Sequence, residues 1–124
     1  YHHTAPINAL YGLHEALLIL KEEGIENSWK RHMENHLLLR KGLEDLNISF
    51  LVDEEDRLPQ LNAIYIPEGI NDLESRQKLL NNFNLEIGAG LGVLAGKVWR
   101  IGLMGHSSKK KNIEHCLNSL AQVI

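Results

Sequence analysis

The chain has 124 residues, 44% of them hydrophobic and 23% charged, with a formal net charge of −3 at pH 7. That length supports one domain with a real hydrophobic core, the composition excludes general disorder, and the mild acidity leaves no electrostatic case for nucleic acid as a partner. No apolar run approaches the ~20 residues of a membrane-spanning helix, so no membrane partner is expected.

The chain opens Tyr1-His2-His3-Thr4, with neither a methionine nor the basic-then-apolar pattern of a signal peptide. The expectation is a piece of something longer. Pro6 suits a first helical turn, where its missing N–H costs nothing. From Ile7 onward Leu10, Leu13, Leu17 and Leu20 recur at helical spacing, with Ala9 and Ala16 widening the stripe. Gly24 is placed to end this helix as its C′ glycine. A second helix is expected from Ile25 to Leu46, with Trp29, Met33, Leu37 and Leu43 on its apolar face and Glu26, Lys30, Glu34 and Arg40 outward.

Ile48-Ser49-Phe50-Leu51-Val52 reads as a strand, followed by a solvated charged loop at Asp53–Arg57. Leu61–Ile66 is a second strand, ended by Pro67-Glu68-Gly69. Asn71-Asp72-Leu73-Glu74 has the pattern of an N-cap with an acid three residues on, opening a helix that carries Leu73, Leu79, Leu80 and Phe83. Leu85-Glu86-Ile87 is a short third strand and Val98–Met104 a fourth. Ser107 or Ser108 caps a last helix whose buried stripe is Ile113, Leu117, Leu120 and Ile124. The order is α-α-β-β-α-β-β-α. Short connections between strands, with helices gathered beside them, predict an α+β fold with a mostly antiparallel sheet.

Two features carry chemistry. Gly90-Leu91-Gly92-Val93-Leu94-Ala95 matches a dinucleotide fingerprint in form. That site needs a helix to begin there, whereas Lys97-Val98-Trp99-Arg100-Ile101 reads as a strand, so the nucleotide reading is rejected. Arg100 is the second feature. A guanidinium flanked by apolar strand residues must find an anion, because an unpaired buried charge is very costly. An internal ion pair and a bidentate clamp on a substrate carboxylate both satisfy it, and the residues alone leave both open.

Other groups read as packing or surface. His32 and His36 stand four apart on a helix, a spacing two metal ligands could use, but no third ligand is recognisable and no metal is expected. His2-His3 is weak by itself. Cys116, the single cysteine, has no internal disulfide partner, which makes a reducing, intracellular home the default expectation. Its place beside Leu117 argues for packing rather than a nucleophile. Lys109-Lys110-Lys111 is a solvated run.

Taken together, Tyr1-His2-His3-Thr4, Gly24-Ile25-Glu26-Asn27-Ser28-Trp29 and Gly96-Lys97-Val98-Trp99-Arg100-Ile101-Gly102 resemble the C-terminal third of the alanine–glyoxylate (serine–pyruvate) aminotransferases. These form a class V, fold-type I family that uses pyridoxal 5'-phosphate. The resemblance runs over essentially all 124 residues. It implies that residues 1–124 are one small C-terminal domain, preceded by a long connecting helix, from an enzyme whose large cofactor domain lies upstream. It implies that Arg100 binds the substrate carboxylate and that Tyr1 and Thr4 reach the cofactor phosphate of a neighbouring subunit in a homodimer; His2 and His3 belong to the motif without an assigned role.

The same resemblance implies an amino-group transfer from alanine or serine to glyoxylate or pyruvate. The lysine that bonds the cofactor lies upstream, in a context none of the eight lysines here matches. No catalytic residue is therefore expected in this chain, and the isolated piece is expected to be inactive. Family members in animals are often peroxisomal or mitochondrial, and a cytoplasmic home also fits; the chain ends Ala121-Gln122-Val123-Ile124, without a Ser-Lys-Leu-like address. A hydroxykynurenine-type aminotransferase shares these motifs. The alternative outside enzymes is an α+β module binding a small carboxylate at Arg100.

Overall fold

A computed structural model describes residues 3–124. Four helices and three strands run in the order α1 (Ile7–Glu23), α2 (Ile25–Asp45), β1 (Leu61–Tyr65), α3 (Asp72–Phe83), β2 (Gly88–Ala89), β3 (Val98–Gly102) and α4 (Lys110–Leu120). The chain divides into two compact units, residues 1–31 and residues 32–124.

In the first unit α1 buries none of its residues: Ile7, Leu10, Tyr11, Leu13, Leu17, Leu18 and Ile19 are all exposed. Pro6 stands just before the helix, and Gly24, at φ +83°, ends it while its N–H donates to the Leu20 carbonyl. Such a positive φ favours glycine, which has no Cβ to clash. Arg31 closes the joint with an ion pair to Glu23, Nη2 to Oε2 at 2.9 Å. This pairing holds Arg31 above its usual pKa, mainly through the hydrogen bond to Glu23.

The second unit contains the core. The sheet is antiparallel throughout with β3 central, in the order β1-β3-β2. Leu39 and Leu43 from α2, Ile64 from β1, Leu79 from α3, Trp99 and Ile101 from β3, and Ile113 and Leu120 from α4 form one buried cluster. This is the α+β, antiparallel architecture expected, with helices beside the sheet. Among the described residues no helix is long and apolar enough to cross a membrane.

Local sequence explains most element ends. Asn71 caps α3, its Oδ1 accepting the Glu74 N–H at 3.0 Å, and Asn84 ends that helix in the left-handed region at φ 55°. Of the stripe expected on α3, Leu79 is buried, whereas Leu73 and Leu80 are exposed.

Four expectations are corrected. Ile48–Val52 is not a strand: Phe50 forms a lone bridge with Ile64. The chain before it is still closing α2, with Asn47 at φ 58° and the Ile48 N–H bonded to the Leu43 carbonyl. Leu85–Ile87 is not a strand either, because the Leu85 N–H returns to the Leu79 carbonyl to finish α3, and pairing with β3 begins only at Gly88. Neither Ser107 nor Ser108 caps α4. Lys109 holds the cap position without a side-chain bond, while the Ser108 hydroxyl and carbonyl both accept from Asn35 Nδ2.

The fourth correction concerns α2. Trp29, Met33 and Leu37 are exposed; of the expected face only Leu43 is buried, and it is joined there by Ser28, His32, Asn35, His36 and Leu39. The polar members of that face from residue 32 onward, His32, Asn35 and His36, each have a hydrogen-bond partner; a buried polar group costs little when it is hydrogen-bonded.

Candidate functional site: an arginine on the central strand

Arg100 occupies the middle of β3, opposite Ala63 of β1 and Gly88 of β2. Alternation along the strand sends Trp99 and Ile101 into the core, where both are buried, and Arg100 to the other face. Its side chain is half-buried and lies against β2, Nε donating to the Ala89 carbonyl at 2.8 Å. Among the described residues no carboxylate pairs with it; the ion pairs there include those of Arg31, Arg40, Arg76, Lys78 and Lys110. A guanidinium has five N–H donors, so the Ala89 carbonyl leaves its two Nη groups as donors for an external anion.

The strand beneath Arg100 is pinned from its core side. Trp99 Nε1 donates to Asp72 Oδ1 at 2.9 Å, and Arg76 Nε donates to the same oxygen at 2.7 Å. These bonds hold the Asp72 carboxyl below the usual carboxylate range, the Arg76 bond being the largest cause, and raise Arg76 in turn. Asp72 begins α3, so one carboxylate ties a helix start to the strand next to the arginine.

Between α2 and β1 a second tie is built from His36 and Asn62, Nδ1 to Oδ1 at 2.7 Å. The Asn62 amide nitrogen faces the Pro59 and Ile101 carbonyls at 3.4 Å each, so its oxygen faces the imidazole and His36 carries its proton on Nδ1. His32 Nε2 accepts the Gly105 N–H at 3.1 Å. Both histidines are therefore buried with hydrogen-bond partners. Cys116 is buried in the core, and burial pushes its thiol up to about 11, far from a nucleophile's range.

The glycine loop before β3 turns back on itself rather than opening a helix. A Cβ on Gly90 would stand 2.1 Å from the Leu94 carbonyl oxygen, so no side chain fits there. Gly92–Leu94 is a single 3-10 turn, after which Val98 enters the sheet. That geometry agrees with rejecting a dinucleotide site. Thr4 is exposed in the segment before α1, in the first unit, and Arg100 belongs to the second; Tyr1 and His2 lie outside the described residues. The feature that sequence reasoning missed is the small pair flanking Arg100, Ala63 and Gly88, which only the strand register reveals.

No family model matches the chain. It is 40% identical to alanine–glyoxylate aminotransferase of Rattus norvegicus over 99% of its own length and 30% of the relative's. It is 36% identical to (S)-ureidoglycine–glyoxylate transaminase of Bacillus subtilis, with the same two coverages. The crystal structure of an alanine–glyoxylate aminotransferase from Nostoc sp. superposes with a TM-score of 0.94 at 48% identity, covering 99% of this chain and 33% of that one. The chain thus spans about a third of the length of the proteins it matches. With likeness of this kind along its whole length, the chain matches the C-terminal third of the alanine–glyoxylate aminotransferases, and its structural neighbours are class V pyridoxal-phosphate aminotransferases.

Proposed function

We propose that this chain is the small C-terminal domain of a pyridoxal-phosphate-dependent aminotransferase, in which Arg100 binds the carboxylate of each amino or 2-oxo acid substrate. The observation that carries the reading is the guanidinium of Arg100 on the central strand, bonded at Nε and without a carboxylate partner among the described residues. Its paired Nη donors match the two oxygens of a carboxylate. The proposed donor is alanine or serine and the proposed acceptor glyoxylate or pyruvate; the likeness to alanine–glyoxylate aminotransferases supports alanine and glyoxylate among these. The likeness to a ureidoglycine–glyoxylate transaminase favours glyoxylate on the acceptor side.

Pyridoxal phosphate, when bound, supplies the carbonyl that takes up the amino group and the electron sink at the substrate's α-carbon. Thr4 fits a phosphate chemically, since its hydroxyl is exposed and can donate to an anionic oxygen. On this reading Thr4, with Tyr1, contacts the cofactor phosphate of a second subunit, and the bonding lysine comes from a large domain outside these residues. Arg100 holds the substrate by its carboxylate, which fixes the direction of the α-carbon for the reaction. The chain alone then forms no lysine bond to the cofactor and does not transaminate; a cofactor absorbance band that survived dialysis and required one of its own lysines would contradict this.

The decisive test is Arg100→Lys in the full-length protein. A lysine keeps the charge but loses the planar fork, so KM for alanine and for glyoxylate should rise about tenfold or more. Parent kinetics in that variant would sink the carboxylate assignment.

A further inference from the structure

We infer that Gly88 is a positioning residue for the carboxylate site: its bare backbone lets Arg100 lie along β2, so that the guanidinium meets a carboxylate end-on through Nη1 and Nη2. This inference rests on the reading of Arg100 as the carboxylate group's partner.

A side chain at the centre of an antiparallel sheet normally shares its face with neighbours directly opposite, whose Cβ atoms stand about 4.5–5.5 Å away. Arg100 has Ala63 on one flank and Gly88 on the other. Neither rises beside it, yet the arginine leans towards only one of them. A Cβ built on Gly88 would stand 3.4 Å from Arg100 Cβ, 3.4 Å from Nη2 and 3.5 Å from Nε. The guanidinium therefore lies over the α-carbon of Gly88, in the space a longer side chain there would take.

That placement selects one edge of the guanidinium. A carboxylate can grip the side edge, through Nε and one Nη, or the end, through both Nη groups. The side edge is occupied, because Nε already donates to the Ala89 carbonyl at 2.8 Å. The end remains, and its parallel donors suit the planar carboxylate of a small amino or 2-oxo acid. The order of effect follows from the distances. An alanine at 88 makes ordinary contact, whereas the γ-methyls of a valine reach one bond further, into the guanidinium itself, and push Nε off Ala89.

The test uses the full-length enzyme labelled with 15N-arginine. In the parent, the Arg100 Nε–H signal, identified by its loss in Arg100→Lys, should be protected from solvent exchange. Gly88→Val should abolish that protection and raise KM for both alanine and glyoxylate about tenfold, with kcat changed by less than about twofold. Gly88→Ala should fall between. Gly88→Leu keeps the test alive if valine lowers the yield of folded protein, which the thermal midpoint reports. An unprotected Nε–H in the parent overturns the inference, as do parent KM values in both Gly88→Val and Gly88→Leu beside a raised KM in Arg100→Lys; in each case the Arg100 reading stands. Parent kinetics in Arg100→Lys overturn both.

Discussion

His36 Nδ1 and Asn62 Oδ1 face each other at 2.7 Å across the contact of α2 with β1, and both side chains are buried. Asn62 also pairs with Ile101 in the strand register, one residue from Arg100. Asn62→Leu keeps the volume roughly but strands the imidazole N–H without an acceptor. The expected loss of stability is about 1–3 kcal/mol, read by urea unfolding, with an unchanged m-value. Replacing both residues by apolar ones should recover part of the loss, because no orphaned donor then remains.

Asp72 makes stability depend on acid. Its native pKa is lowered, first by Arg76 and further by the Trp99 indole. A carboxylate lowered in the folded state binds its proton more readily when unfolded. Its contribution is therefore complete above its unfolded value of about 4 and is lost as the pH falls through the lower native value. Unfolding followed by Trp99 fluorescence between pH 6 and pH 2 should show this decline. Asp72→Asn should be less stable at pH 6 and should flatten the acid limb.

Gly90→Ala should damage the loop that leads into β3. The added methyl meets a backbone oxygen, that of Leu94, which cannot swing aside as a side chain would. The chain from Leu91 to Lys97 must shift, at about 1–3 kcal/mol. Calorimetry would register the change as a lower melting midpoint. Gly69→Ala provides the contrast: it is strained by its φ of +81° but meets nothing within 4 Å, so any loss there is conformational rather than steric.

Cys116 should resist thiol reagents until the protein unfolds. With the thiol raised to about 11, only about one molecule in a thousand carries the thiolate at pH 8, and the sulfur is buried as well. Labelling by iodoacetamide should therefore track the unfolded fraction along a urea series. Fast labelling of the native protein would show that the core around α4 opens far more often than its packing allows.

The elements whose apolar spacing and end signals agree were legible in the residues: α1 with Gly24, α3 with Asn71, β1 and β3; α4 was legible from its apolar spacing but not from its cap. The orientation of α2 was not. Hydrophobic periodicity selects Trp29, Met33 and Leu37, but the buried side carries His32, Asn35 and His36, and a polar residue enters a core whenever partners wait for it. Those partners, Ser108, Asn62 and Gly105, lie 26 to 73 positions away, beyond any local window. The same holds for the arginine. Its unusual setting in an apolar strand was visible in the sequence, whereas the small residues on either side of it depend on register, and the two-residue length of β2 hid that register.

Helix α1 has a bearing on where the molecule opens first. A helix of its length is marginal in water on its own, and none of its 17 residues is buried. Its backbone amides therefore have little to protect them beyond the helix itself, and in this chain they should exchange with solvent well ahead of those in the buried cluster of residues 32–124.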